Sequence, residues 1–207
     1  MSDPAEVERV GQLIDAYYQR ADPIDRCGVA STKPSDRGVP PEMWAGPVDA
    51  DGWVDWKVLP STLTSSDVAK LESEFGVAFP PLFQAYLMAR FHCFDQVDSA
   101  RHDELIMLPS LSARDPFRAL RDLLKAWRVL IGAELIPFAE WGDGYGPMCF
   151  DIRRRRPDGD CPILWLDHEA LAPLGQKAAT RANLVRLEQP LYDSFAELLQ
   201  DVFGHEG

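Results

Sequence analysis

The sequence predicts an α+β fold with a mainly antiparallel sheet, a meander flanked by helices, on three observations. Apolar strand-like runs follow one another across turn signals: Ile136–Trp141 reverses through Gly142-Asp143-Gly144-Tyr145-Gly146, and Pro157-Asp158-Gly159-Asp160 leads into Cys161–Asp167. Successive runs joined this way read as hairpins in series. Segments of helical periodicity lie before and after the runs, as in an α+β fold and unlike the strict alternation of a parallel sheet. The chain has 207 residues and is 46% hydrophobic, enough for one sizeable core with an extension.

Taken in order, Val7, Val10, Leu13, Ile14, Tyr17 and Tyr18 recur at helical spacing and predict a helix from Pro4 to about Arg20. Residues 22–60 are then rich in proline and glycine, among them Pro23, Pro34, Pro40 and Pro41, and carry Trp44, Trp53 and Trp56. Each tryptophan can bury ~150–250 Å², so this arm is expected to wrap over the main domain with at least two of the three buried. The expected division is 1–60, helix and Pro/Trp-rich arm, and 61–207, the α+β domain. Thr64 and Asp67 have capping-box spacing and Gly76 is a helix stop. Pro81 opens the next helix, burying Leu82, Phe83, Tyr86, Leu87 and Phe91. Strands are expected at Phe91–Val97 and Glu104–Leu108, joined by the acidic turn at 98–103. A helix from Pro116 then carries Phe117, Leu120, Leu124, Trp127 and Leu130 at helical spacing and stops at Gly132. The meander strands are Leu135–Trp141, Pro147–Arg154 and Cys161–Asp167. The last is apolar at both parities and so is expected to be covered on both faces. A short strand at Leu184–Leu187 and a helix from about Pro190 to Phe203 complete the chain.

The 21 basic and 33 acidic residues give a net charge of −12, which opposes general nucleic-acid binding. The acid is spread: 6 basic and 11 acidic residues in 1–60, 8 and 9 in 61–129, 7 and 13 in 130–207. Such a surface serves solubility and also steers a basic partner. No apolar run approaches the ~20 residues of a membrane span. Met1-Ser2-Asp3-Pro4-Ala5-Glu6 lacks the basic-then-apolar pattern of a secretory signal, so a cytoplasmic location without membrane contact is expected. Cys27, Cys93, Cys149 and Cys161 stand far apart with no CxxC pair, as reduced, partly buried thiols.

Candidate chemistry concentrates at the meander. A hairpin centred on Asp158-Gly159 would set Cys149 opposite His168, Asp151 opposite Leu166, Phe150 opposite Asp167 and Cys161 opposite Arg156. Two facing ligands fall short of the four a structural zinc requires, so neither metal nor cofactor is expected. Asp151, Asp167, His168 and Glu169 would make a carboxylate–histidine cluster if neighbouring strands brought them together. Nucleophile motifs, phosphate loops and HExxH are all missing, and polar residues at a strand end also cap the next segment. The glycine-rich segment precedes a strand and not a helix, so it reads as a hairpin turn. Arg153-Arg154-Arg155-Arg156 reads as an exposed hairpin tip with local ion pairs, partly neutralised by the following Pro157-Asp158-Gly159-Asp160. Glu140, Trp141, Asp143 and Tyr145, with Asp167 and Glu169, form a candidate partner-binding surface, aromatic rings beside carboxylates suiting a basic protein. The alternative sets Trp141 and Tyr145 in the core beneath the turn.

With its flanks the segment resembles the SUKH superfamily, the Smi/Knr-type proteins that include bacterial toxin-immunity proteins and fungal cell-wall regulators. The resemblance covers roughly Ser66 to Phe203. It rests on Leu71-Glu72-Ser73-Glu74-Phe75-Gly76 followed by Phe79-Pro80-Pro81-Leu82-Phe83, the Ile136–Asp151 strand-turn-strand, Trp165-Leu166-Asp167-His168-Glu169, and Ser194-Phe195-Ala196-Glu197-Leu198-Leu199. Arg90-Phe91-His92-Cys93-Phe94 departs from the glycine-rich turn that many members carry after the Leu82 helix. The resemblance implies a non-enzymatic immunity protein of a polymorphic toxin system. Its partner would be a cognate, basic, nuclease-type toxin, occluded stoichiometrically. Two alternatives stand beside it: a regulatory module without a toxin partner, and a small hydrolase using Asp151, Asp167 and His168.

Overall fold

The computed structural model describes residues 3–33 and 37–204; Met1, Ser2 and Pro34 lie outside them. The first periodic segment folds as α1 (Pro4–Arg20), opened by the Asp3 carboxylate accepting the Ala5 amide at 3.0 Å. Thr64 and Asp67 make both bonds of a capping box at the start of α2 (Ser65–Phe75), which ends on Gly76 at φ 69°, a left-handed position that favours glycine. Pro81 opens α3 (Pro81–Ala89). α1 packs along α3, with Val10 and Ile14 buried in the same core as Phe83. Gly11 leaves room there for the Arg90 guanidinium, which donates to both oxygens of Asp15 at 2.9 to 3.1 Å.

The arm is pinned by two small antiparallel pairs. β1 (Cys27–Val29) pairs with β2 (Trp53–Asp55), and β3 (Leu59–Pro60) with β4 (Arg90–Phe91). Trp56 is 1% exposed, its ring against Tyr18 and Phe94. Trp44 is half-buried on the core and donates its indole N–H to the Val39 carbonyl at 2.8 Å. Trp53 faces outward, 44% exposed.

Six strands form the main sheet: β5 (Val97–Ser99), β6 (Glu104–Met107), β7 (Leu135–Trp141), β8 (Gly146–Asp151), β9 (Ile163–Trp165) and β10 (Gln189–Tyr192). They lie side by side in chain order, each antiparallel to the next, so the α+β meander is present. Helix α4 (Arg118–Ala126) lies between β6 and β7, α5 (His168–Leu171) follows β9, and α6 (Phe195–Phe203) ends the described chain. Alternation along the strands divides the interior. Phe138, Phe150 and Ile163 face the larger core with Phe83 and Phe195, whereas Leu135, Cys149 and Leu164 face a second with Leu130, Leu171 and Leu184. Phe138 and Phe150 stack at 4.1 Å, and Phe83 meets both rings edge-on. β9 is therefore covered on both faces, as its apolar run predicts. No helix among the described residues is long and apolar enough to cross a membrane.

Several expectations are corrected. The proposed strand Phe91–Val97 is replaced by two short ones, because His92 bonds both ways to Leu111 and the chain passes from the small sheet to the large one. The helix from Pro116 to Gly132 breaks at Trp127 into α4 and a 3-10 segment, Arg128–Ala133. The second meander strand stops at Asp151 and the third spans only Ile163–Trp165. Leu184–Leu187 is a turn, and the strand comes later at Gln189–Tyr192, where Pro190 favours extended backbone at Gln189. The last helix accordingly starts at Phe195. The register is also corrected: Phe150 opposes Ile163 and Cys149 opposes Leu164, so Cys149 and His168 do not pair, nor do Asp151 and Leu166 or Cys161 and Arg156. Ile152–Arg154 wind a 3-10 turn before the second reversal, and the returning chain meets Phe150 sooner than a hairpin centred on Asp158-Gly159 would bring it there. The displacement is four residues, an even number, which keeps every side chain on its expected face.

Candidate functional site

The turn from β7 to β8 is closed by the Tyr145 amide donating to the Trp141 carbonyl at 2.9 Å. Gly142 and Gly144 take φ of 58° and 80°, as a tight reversal requires. Gly146 has a second role: a Cβ there would run into the Leu166 carbonyl oxygen, so its bareness lets the end of β9 close on the turn. The His168 amide and Nδ1 both approach the Tyr145 carbonyl, at 2.9 and 3.0 Å. Asp167 caps α5, its carboxylate accepting the amides of Glu169 at 2.7 Å and Ala170 at 3.2 Å.

These bonds gather Asp143, Tyr145, Asp167 and Glu169 at one end of the sheet. Tyr145 is 50% exposed, and Asp143 and Glu169 are exposed beside it. Two members of the candidate set stand apart. Trp141 is buried in the core, edge-on to His102 and stacked at 6.4 Å on Trp165, so the core alternative holds for this ring. Glu140 is half-buried and accepts the Trp127 indole N–H at 3.2 Å. A cleft of about 440 Å³ opens next to His168, floored by Leu130, Leu171 and Ala178 with Lys125 and Arg128 at its rim.

The hydrolase constellation does not assemble. Asp151 sits at the far end of β8 from the turn, roughly 17 Å of strand from the His168 contact. It is buried and held by Arg181 at 2.7 and 3.0 Å and by Arg154 at 3.0 Å, while Arg181 also grips Glu188. This network ties the 172–188 segment to the sheet. Arg181 is 30 residues from Asp151, and no sequence signal marks the pairing. Among the described residues no three His, Cys, Asp or Glu side chains form a group able to hold a metal. All four cysteines are free thiols. Burial pushes the Cys93 thiol up to about 12 and Cys161 up to about 11, values that disfavour the reactive thiolate. The four-arginine run leaves the sheet after Asp151 and is taken up by Glu134 on Arg153, Asp158 on Arg156, and the Gly159 and Ala78 carbonyls on Arg155.

The turn surface presents one exposed ring and three carboxylates over a hydrogen-bonded turn. Against known proteins, the model of the SMI1 / KNR4 family (SUKH-1) matches residues 62–201. That span runs from just before α2 into α6 and contains the turn, while α1 and the arm precede it. No curated protein matches the chain.

Proposed function

The chain belongs to the SMI1 / KNR4 family (SUKH-1), a family of immunity and regulatory modules that are generally non-catalytic, and on that premise we propose that it is an immunity protein. It binds a basic, nuclease-type bacterial toxin in the cytoplasm and neutralises it by stoichiometric occlusion. The observation that carries this reading is the juxtaposition at the turn of exposed Tyr145 with Asp143, Asp167 and Glu169, fixed by the bonds from His168 to the Tyr145 carbonyl. A ring supplies apolar contact area, carboxylates set the orientation, and a net charge of −12 adds long-range attraction. The division at residue 60, with the family domain carrying this surface and the arm added before it, is part of the proposal.

Co-expression with the products of neighbouring open reading frames tests it. A growth-arresting neighbour should be neutralised and should co-purify in fixed stoichiometry. Glu140 is unsuited to the charge-reversal test, because a lysine there would strip the Trp127 indole of its acceptor. Asp143→Lys with Glu169→Lys leaves the interior bonds intact and should lower protection. A neighbour whose toxicity is unchanged by this protein would remove the immunity reading. A partner bound without any toxicity to relieve would favour the regulatory one.

A further inference from the structure

We propose a second interaction surface on the arm: the outer face of the β1–β2 pair, taking a basic protein segment with an apolar or aromatic side chain at its centre. Val29 and Trp53 are directly opposed cross-strand partners, and both point outward, 55% and 44% exposed. Their neighbour Val54 faces inward and is buried, so the outward pair is set by the strand alternation itself. Ile24, in the 3-10 turn that feeds β1, is 74% exposed, and Val48 extends the apolar stretch along the chain. Among the described residues, these four make up most of the large apolar side chains left in solvent, the others being Tyr145 and Val185. Concentration on the β1–β2 pair and the segments flanking it, where scattered exposure is the norm, marks a contact surface.

Charge decides the occupant. Asp22 and Asp25 bracket Ile24 in sequence, and Asp49, Asp51 and Asp55 flank Trp53 in sequence, against Arg26 and Lys57 as the cations of these segments. Arg26 is laid over the Tyr18 ring. The Asp49 carboxylate accepts the Trp53 amide at 2.8 Å, which holds that charge beside the indole. The Asp25 carboxyl is held above its ordinary value by burial and then by Asp22, Asp98 and Asp95, a sign of how closely like charge is gathered here. Acid gathered on these segments repels nucleic acid, anionic lipid and a second copy of this chain, and it attracts lysine and arginine. The edges of the pair set the mode of binding. Beyond β1, the Val39 amide donates to the Val29 carbonyl at 2.8 Å. Beyond β2, the Ala45 amide donates to the Asp55 carbonyl at 2.7 Å and the Asp49 amide to Trp53 at 2.8 Å. Both edges are closed, so a partner docks by side chains on the face and not by adding a strand. The surface lies before the family match at residue 62, and its partner contact is a property of the arm. It does not depend on the turn at Tyr145.

The test uses a phage-displayed library of random dodecapeptides selected on the full chain, with enriched peptides synthesised and titrated. Expected are peptides combining Lys or Arg with an aromatic or large apolar residue. Their affinity should fall about tenfold or more on Trp53→Ser and on Asp51→Lys, and by a similar factor as salt rises. Tyr145→Ser should leave it within about twofold. An unchanged unfolding midpoint confirms that each variant is folded; all three changed side chains are exposed. Absence of enrichment, acidic consensus sequences, or binding indifferent to Trp53→Ser and Asp51→Lys overturns the proposal. Peptides that depend on Tyr145 alone also count against it while supporting the turn surface. The toxin-rescue result bears on the immunity reading and not on this one, so the two fail separately.

Discussion

At the scale of single residues, the buried polar groups are structural, and their consequences are measurable. His92 is fully buried, with Nε2 3.0 Å from the Tyr86 hydroxyl and no partner for Nδ1. Burial pushes its pKa down to about 3, well below the ordinary 6.5 of an unfolded chain. Above pH 6.5 the ring is neutral in both states. As pH falls from 6.5 towards 3, the unfolded chain takes up a proton that the folded one refuses, and stability is lost at about 1.4 kcal/mol per pH unit from this group. Denaturant midpoints at pH 7.5 and pH 4.5 should therefore differ less in His92→Gln than in the wild type. Asp151 is the second case. Removing it leaves Arg181 buried with Glu188 alone, so Asp151→Ala should destabilise by about 3 kcal/mol or more on equilibrium unfolding. Partner affinity should hold within about twofold. A loss of binding without a loss of stability would show that Asp151 belongs to the interface.

At the scale of elements, legibility in the sequence followed how local the signal is. α1, the capping box of α2, the Pro81 start of α3 and the bounds of β7 are all written within a few residues, by spacing, caps and turn glycines. The β8–β9 register and the position of β10 are not. The connection between β8 and β9 runs over residues 152–162, where a 3-10 turn takes up chain that a tight hairpin would give to pairing. β10 is held by pairing with β9 and precedes a helix whose local cap, the Ser194 hydroxyl on the Glu197 amide at 3.1 Å, leaves its first amides to a distant residue. Asp160, far along the chain from α6, accepts the Phe195 and Ala196 amides at 3.1 and 3.2 Å as well as the Cys161 amide at 2.7 Å. Two otherwise orphan helix-start amides depend on that carboxylate. Asp160→Ala should cost about 1–3 kcal/mol and speed amide exchange first at Phe195 and Ala196; unchanged protection there would refute the cap. For the candidate site, the turn and its acids were legible because glycine spacing marks a reversal. That Trp141 turns inward while Tyr145 stays out depends on His102 and Trp165, which only tertiary structure brings to the turn.

At the scale of the whole molecule, one sheet carries a core on each face, and the arm closes the larger of them through Val39, Met43, Val54 and Trp56. The acidic turn stands at one end of that sheet, and the β1–β2 pair lies on the arm; on the proposed reading, long-range attraction belongs to the net charge of the entire chain and orientation to the turn. This separation sets what a kinetic experiment should show. The most direct measurement is the rate of association, by stopped flow, between this protein and the toxic neighbour proposed as its partner, followed across a range of salt. The account predicts that association slows at least about tenfold as salt is raised, because screening removes the steering. It also predicts that Asp143→Lys with Glu169→Lys slows association by a comparable factor at low salt. Association indifferent to salt, or a double variant that binds and protects like the wild type, would contradict it.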